Sequence, residues 1–128
     1  MNDLKAFNQF HDWYLDTVHV SKESETLTLG LYLQERRALV SFIGINRCAL
    51  QDFGLQNIVY RIEPLNPGSP QYETAQQILA KAQRWTDSHP SNIARLFSTC
   101  GAEVIVEFNS IEITMESADS GEISKAGT

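Results

Sequence analysis

The sequence predicts a single α+β domain: a mainly antiparallel sheet of six or seven strands, strongly curved or folded into a sandwich, with one main helix and a short N-terminal helix. Several short segments alternate apolar and polar residues, which is typical of half-buried strands. One longer stretch, residues 70–86, places its apolar residues at helical spacing. The hydrophobic fraction of 42% and the charged fraction of 20% are those of a globular chain.

The first predicted elements are a short helix and an extended segment. Leu4, Phe7 and Phe10 stand at helical spacing and predict the N-terminal helix. The stretch FHDWYLDTVHV, residues 10–20, follows it, and the β-branched residues of TVHV favour an extended chain. We therefore expect this stretch to begin the sheet.

The next strands differ in how their apolar residues are arranged. Residues 26–33 alternate strictly, with four leucines on one face, and form the clearest strand of the chain. Residues 38–45 carry apolar side chains on both faces, which predicts a central strand that is covered on each side. Residues 55–63 alternate around Ile58 and Ile62 and predict a further strand.

The main helix has a clear start and a long apolar stripe. Ser69 and Pro70 suit the N-cap and the first helical position. The stripe, which predicts that Leu79 is buried, consists of Tyr72, Ala75, Ile78, Leu79, Ala82 and Trp85. The segment after the helix, residues 92–100, fits either a helical turn or a strand.

The C-terminal part of the chain predicts two strands and a tail. Residues 103–108 and 110–116 both alternate apolar and polar side chains. Residues 117–128 contain too little apolar material to order themselves. The domain is therefore expected to span residues 1–116, followed by a flexible tail.

The acidic excess is concentrated near the C-terminus. The whole chain has a formal charge of −6; residues 1–102 hold nine Lys plus Arg and ten Asp plus Glu, whereas residues 103–128 hold one Lys and six acids. The two parts therefore carry −1 and −5. Because nucleic-acid binding depends on clustered Lys and Arg, we do not expect a nucleic-acid partner. The acidic excess instead suits a basic protein partner.

Other classes of protein are disfavoured by what the sequence lacks. Apolar runs are only a few residues long and no secretory signal is recognisable, so we expect a cytoplasmic protein without membrane attachment. Cys48 and Cys100 lie outside any CxxC pattern, which predicts free, buried thiols. The patterns of serine hydrolases, phosphate-binding loops, zinc proteases and EF-hands are missing, so no cofactor, metal or catalytic residue is predicted.

The two C-terminal strands place four glutamates on one predicted surface. If the apolar residues of both strands face inward, the outward positions are those of Glu103, Glu107, Glu112 and Glu116. A two-residue turn at 109–110 would set Glu107 across from Glu112, and Glu103 across from Glu116. Opposed like charges of this kind destabilise a sheet.

Two explanations of the four glutamates are open. An arginine on a neighbouring strand, Arg47, Arg61 or Arg95, offsets the charge, or the register differs. Alternatively, the glutamates form a docking surface for a cationic protein. In the second case, glutamine at positions 107 and 112 would leave the free protein as stable as before, or more stable.

A rival site is offered by His11, Asp12, Tyr14 and Asp16. On an extended strand, His11 and His19 are about 26 Å apart, too far to share one metal ion. We therefore expect this group to be structural and not to converge on a ligand.

Three stretches carry a resemblance to known proteins. FHDWYLDTV, LTLGLYL and FGLQNIVYRI, within residues 10–63, resemble a group of small, largely uncharacterised bacterial α+β proteins of the toxin-immunity type. The resemblance implies a stand-alone bacterial binding protein and supplies no catalytic residue.

Three functional hypotheses follow. The first is a non-enzymatic protein-binding domain, an immunity protein that neutralises a basic toxin domain through the acidic C-terminal hairpin. The second is a small enzyme or ligand-binding protein with its site near His11, Asp12, Tyr14 and Asp16. The third is a structural subunit of a homo-oligomer.

Overall fold

The architecture was obtained as a computed structural model, which describes residues 10–90 and 92–116. Eight strands form one antiparallel sheet in the order β4-β7-β6-β5-β1-β2-β3-β8. In chain order the elements are β1 (Tyr14–Ser21), β2 (Thr26–Leu33), β3 (Arg36–Ile43), β4 (Arg47–Gln51), β5 (Ile58–Pro64), α1 (Pro70–Leu79), β6 (Asn92–Cys100), β7 (Glu103–Phe108) and β8 (Ser110–Glu116). Within the described ranges, no helix has the length and apolar content needed to cross a membrane.

Two short connections fold the sheet over on itself. Residues 44–46 join β3 to β4, and Asn109 alone joins β7 to β8, although each connection links strands from different halves of the sheet. The backbone N–H of Asn109 donates to the carbonyl of Ile43 at 2.9 Å. Gly44 has a φ of +71°, and a Cβ there would collide with the Asn109 side chain, so this crossing requires glycine. The sheet must therefore curve until its two edge strands, β4 and β8, meet at this corner.

The main core fills the space between the two facing halves of the sheet. The strict alternation of β2 places Leu27, Leu29 and Leu31 inside, where they lie beside the buried residues of the paired strand β3. Phe42 and Phe108, one from each half, meet edge to face with ring centroids 5.0 Å apart. The largest fully buried side chains include Trp13, Phe10, Phe42, Phe108, Leu15, Leu27, Leu29 and Leu31.

Helix α1 covers the outer face of the half formed by β4, β7 and β6. Ser69 caps it, because its hydroxyl accepts from the backbone N–H of Tyr72 at 3.2 Å. Ala75 and Leu79 are fully buried in a second cluster with residues of β6, β7 and the segment after β5. The predicted burial of Leu79 is confirmed.

Several predictions of the fold are wrong. The predicted class, an α+β domain with six or seven strands, a main helix and an N-terminal helix, is replaced by one eight-stranded antiparallel sheet with a single short helix in the described residues. The helix ends at Leu79 instead of residue 86. The N-terminal helix is predicted mostly on residues 1–9 and the flexible tail on residues 117–128. Both ranges lie outside the described residues.

The strand predictions fare differently. The prediction that residues 14–20 are extended is confirmed by β1. Residues 92–100, for which the sequence fits either a helical turn or a strand, form strand β6. The prediction that β3 is covered on both faces is wrong, because only alternate residues of β3 are buried. The predicted hairpin of β7 and β8 is also wrong, since β8 pairs with β3 and β7 pairs with β4 and β6.

Candidate protein-binding surface

One end of the sheet gathers strand ends and an unusual loop. The pairings place Glu116, Arg37, Tyr32, Tyr14, Ile58 and Cys100 in one row across six strands. Beyond this row, β6 turns into β7, whose first residue Glu103 pairs with Gln51 at the end of β4. Residues 52–56, which we call the apolar loop, therefore leave the sheet at this end.

The apolar loop is held by Asn57, whose side chain is buried. Its amide oxygen accepts from the backbone N–H of Gly54 and of Ala102, each at 2.9 Å. Its amide nitrogen donates to the carbonyl of Gly54 at 2.8 Å and to that of Leu15 at 3.3 Å. All four hydrogen-bonding capacities of the amide are therefore used. They tie the loop to β1 and to the β6–β7 turn.

The β6–β7 turn is shaped to accept this amide. Gly101 has a φ of +92°, and a Cβ there would overlap the Asn57 amide oxygen and the Gln56 carbonyl. Glycine is required because only glycine combines this backbone angle with the close approach. The loop conformation is thus determined by contacts from outside the loop.

The loop displays large apolar side chains to solvent. Leu55 is fully exposed, and Phe53 and Leu50, at the end of β4, are each 46% exposed. Single exposed apolar residues are ordinary, whereas three within six positions on a fixed backbone are a candidate interaction site. Asp52, which lies between Leu50 and Phe53 in the chain, is exposed and has no ion pair among the described residues.

Glu107, the first of the predicted docking glutamates, is buried. Arg47, its partner on β4, donates to the two carboxylate oxygens at 3.1 and 2.9 Å, and Arg84 approaches to 3.5 Å. Glu103 pairs with Arg95 at 2.7 Å. The explanation by neighbouring arginines is therefore confirmed for Glu107 and Glu103.

Glu112 and Glu116 are exposed on β8. They stand opposite Ser41 and Arg37 of β3, so the predicted oppositions of Glu107 to Glu112 and of Glu103 to Glu116 are wrong. Because β7 and β8 belong to different halves of the folded sheet, the four glutamates do not form one row. The third candidate arginine, Arg61, pairs with Glu63 at 3.5 Å.

The rival site of the N-terminal stretch is dispersed. His11 contacts Asp12 at 3.4 Å and meets the ring of Tyr60 edge to face. Tyr14 stacks on Tyr32 across the β1–β2 pair. Among the described residues, no group of three or more His, Cys, Asp or Glu side chains is arranged to hold a metal ion.

Asp16, the fourth member of that stretch, has a partner of its own. Arg37 donates to its two carboxylate oxygens at 2.9 and 2.8 Å. Partial burial by itself would raise the pKa of Asp16, but the hydrogen bonds from Arg37 and Thr17 and the charge of Arg37 hold that pKa below its usual value. The carboxylate is thus ionised and paired, as suits a structural role.

The cysteines are free, as predicted, but neither is fully buried: Cys48 is half-buried and Cys100 is exposed. Burial raises the pKa of the Cys48 thiol. Cys100 contacts the carbonyl of Gln56 in the apolar loop at 3.8 Å. The expectation that both thiols are buried is wrong because Cys100 stands at the end of β6, where the strand leaves the core.

The two thiols are expected to differ in reactivity. Alkylation requires an accessible thiolate, and Cys48 is half-buried with a raised pKa, whereas Cys100 is exposed. At neutral pH, iodoacetamide should therefore modify Cys48 about tenfold or more slowly than Cys100. Because the pKa of Cys48 is raised, the difference should narrow as the pH increases. Mass spectrometry of peptides from a time course measures both rates, and chain unfolded in urea is the control. Equal rates in the folded protein would show that Cys48 is not protected.

The fold and the surface together define the class of the molecule: a single-sheet antiparallel β domain that presents a fixed apolar loop. Comparison with protein-family models, with curated proteins and with solved structures finds no match to this chain. The residues of the apolar loop were not selected from the sequence. The available signal is two large apolar side chains flanking Gly54. Leu55 was hidden in the predicted strand 55–63, which in the structure begins only at Ile58.

Proposed function

We propose that this chain is a non-enzymatic protein-binding domain that docks on its partner through the apolar loop. The observation that carries the proposal is the full exposure of Leu55 on a backbone fixed by the buried Asn57. A loop that is already ordered loses little conformational entropy on binding. Its apolar side chains therefore suit the role of anchors that enter a groove of the partner.

Charge supports a basic partner. The chain carries a net charge of −6, and Asp52 lies next to the anchors. Glu112 is exposed on β8 and, among the described residues, has no ion pair. Acids placed in this way steer a cationic protein toward the surface and suppress unsuitable partners. A basic toxin domain neutralised by an immunity protein is the partner we propose.

The arginine pairs of Glu107, which is buried, and of Glu103, which is half-buried, narrow the docking surface. Carboxylates already held by Arg47 and Arg95 contribute little to the field outside the protein. The exposed acids that remain available to a basic partner are therefore Asp52, next to the anchors, and Glu112 and Glu116 on β8. The free thiols Cys48 and Cys100 suit a reducing compartment, so we place the complex in the cytoplasm.

A photo-crosslinker tests where the partner binds. A benzophenone amino acid at position 55 should capture one basic protein in the native cell, because this position enters the interface. The same analogue at position 77, which is exposed on α1, is the control. Equal capture from both positions, or capture from position 77 alone, would contradict the proposal.

The affinity of the captured protein for variants gives the expected effect. Leu55→Ser should weaken binding about 30-fold or more, the change typical of an interface anchor. It should leave the free energy of unfolding within about 0.5 kcal/mol, because Leu55 is fully exposed. Gln77→Ser is the matched control and should bind the partner as the unchanged protein does. In a separate measurement, the rate at which the unchanged protein associates with its partner should fall as salt is added. Unchanged binding by Leu55→Ser would refute the anchor role.

A further inference from the structure

A pocket of about 190 Å³ lies at the other end of the sheet from the apolar loop. Three parts of the chain line it: the end of β1 with the β1–β2 turn, the β3–β4 connection with the start of β4, and the stretch that follows α1. Its apolar walls are formed by Val20, Ile45, Cys48, Ala82 and Trp85. Since an apolar cavity of about 150 Å³ holds benzene, this pocket has room for a side chain of the size of leucine or phenylalanine.

The pocket is preformed because Asn46 fixes one wall. This residue is 4% exposed, and its amide oxygen accepts from the backbone N–H of both Trp85 and Thr86. Its amide nitrogen donates to the carbonyls of Thr86, at 2.9 Å, and of Ser88. The chain after α1 is thereby held against the β3–β4 connection, with the Trp85 ring half-exposed at the pocket.

The opposite wall is held by backbone bonds. The carbonyl of Glu25, in the β1–β2 turn, accepts from the N–H groups of Gly44 and Ile45, each at 3.0 Å. All three parts of the chain that line the pocket are therefore joined without the help of a ligand. Little ordering is left for a ligand to impose.

Two charged residues of opposite sign line this pocket. The ammonium group of Lys22, an exposed residue, lies 5.7 Å from the centroid of the Trp85 ring, and Glu25 is half-buried. Within the described part of the chain, neither forms an ion pair. Arg47, which also lines the pocket, is occupied by Glu107 and by the carbonyl of Leu79. One cation and one anion are thus left for a ligand.

We propose that this pocket binds a free apolar α-amino acid. The side chain enters the apolar space against Trp85, the carboxylate faces Lys22 and the ammonium group faces Glu25. A ligand with one charge would form only one of these two contacts. This site lies away from the apolar loop, so the proposal does not depend on the proposed function.

Titration with four probes tests the charge requirement. L-phenylalanine should bind with chemical-shift changes at Val20, Ile45 and the Trp85 indole, and 3-phenylpropionate and 2-phenylethylamine should each bind about fivefold or more weakly. Glycine, which has both charges and no side chain, should not bind. Absence of phenylalanine binding at millimolar concentration, or equal affinity for the three aromatic probes, would overturn the proposal.

Charge variants assign the two contacts separately. Lys22→Gln should weaken the binding of phenylalanine and of 3-phenylpropionate about fivefold and leave the binding of 2-phenylethylamine unchanged. Glu25→Gln should weaken the binding of phenylalanine and of 2-phenylethylamine about fivefold and leave that of 3-phenylpropionate unchanged. Lys81→Gln, at an exposed position, is the control and should change nothing. In a Cys100→Ser background, phenylalanine should also slow the alkylation of Cys48, because that thiol lines the pocket. Equal effects of both variants on all aromatic probes would show a general structural change and overturn the assignment.

Discussion

Replacing Glu107 with glutamine is expected to lower the free energy of unfolding by about 3 to 5 kcal/mol, because it removes the anion of a buried ion pair. The side chains of Glu107 and Arg47 are only 7% and 13% exposed. Arg47 uses two N–H groups on this carboxylate, and Arg84 adds a second positive charge. Glutamine would leave both arginines without a counter-charge. Urea unfolding at neutral pH measures the change.

Glu112→Gln is the matched control, since it removes the same charge from an exposed strand position. Its effect on stability should stay within about 0.5 kcal/mol. Replacing Arg47 by methionine together with Glu107 by leucine should restore part of the lost stability, because a buried pair exchanged for apolar residues is often neutral. Similar losses for Glu107→Gln and Glu112→Gln would show that the buried pair has no special role. The result expected here is the opposite of the one that the docking explanation of the four glutamates predicts for glutamine at positions 107 and 112.

Leu79→Ala is expected to lower the free energy of unfolding by about 2 to 5 kcal/mol, because it leaves a cavity beneath α1. Leu79 is fully buried where the helix meets the outer face of the sheet. Its neighbours there are Leu65, Ala75, Ile93 and Ile105. Since α1 spans only ten residues, this contact is a large part of what holds it.

Gln77→Ala is the control for this substitution, as it lies on the exposed face of the same helix. It should change stability by no more than about 0.5 kcal/mol. Far-ultraviolet circular dichroism of both variants shows whether α1 remains folded. A loss below about 0.5 kcal/mol for Leu79→Ala would mean that the helix is not held by this cluster.

The end of α1 shows how a distant residue overrides a local pattern. The helical spacing of apolar residues continues to Ala82 and Trp85, but the helix ends at Leu79. The chain beyond it bonds to the side chain of Asn46, which lies 39 residues before Trp85. A sequence pattern within the helix contains no information about this partner.

The glutamates show that a local pattern in a strand, too, does not reveal a distant partner. The alternation of residues 103–108 predicts a half-exposed strand, yet Val104 through Phe108 are all buried. Ile105, an apolar residue at a predicted outward position, was a sequence signal that this strand is covered on both faces. The counter-charge of Glu107 comes from Arg47, 60 residues earlier, and no local pattern pairs them.

The sequence by itself determined the local features: the alternation of β2, the cap of α1 at Ser69, the burial of Leu79 and the extended start at β1. These follow from periodicity and capping, which act over a few residues. Only the tertiary structure decided which strands are neighbours and where α1 ends, and therefore that Glu107 is buried and Leu55 is displayed. The physical reason is that a period of two identifies residues that share a face of a strand, whereas the neighbour of that strand is chosen by contacts across the whole chain.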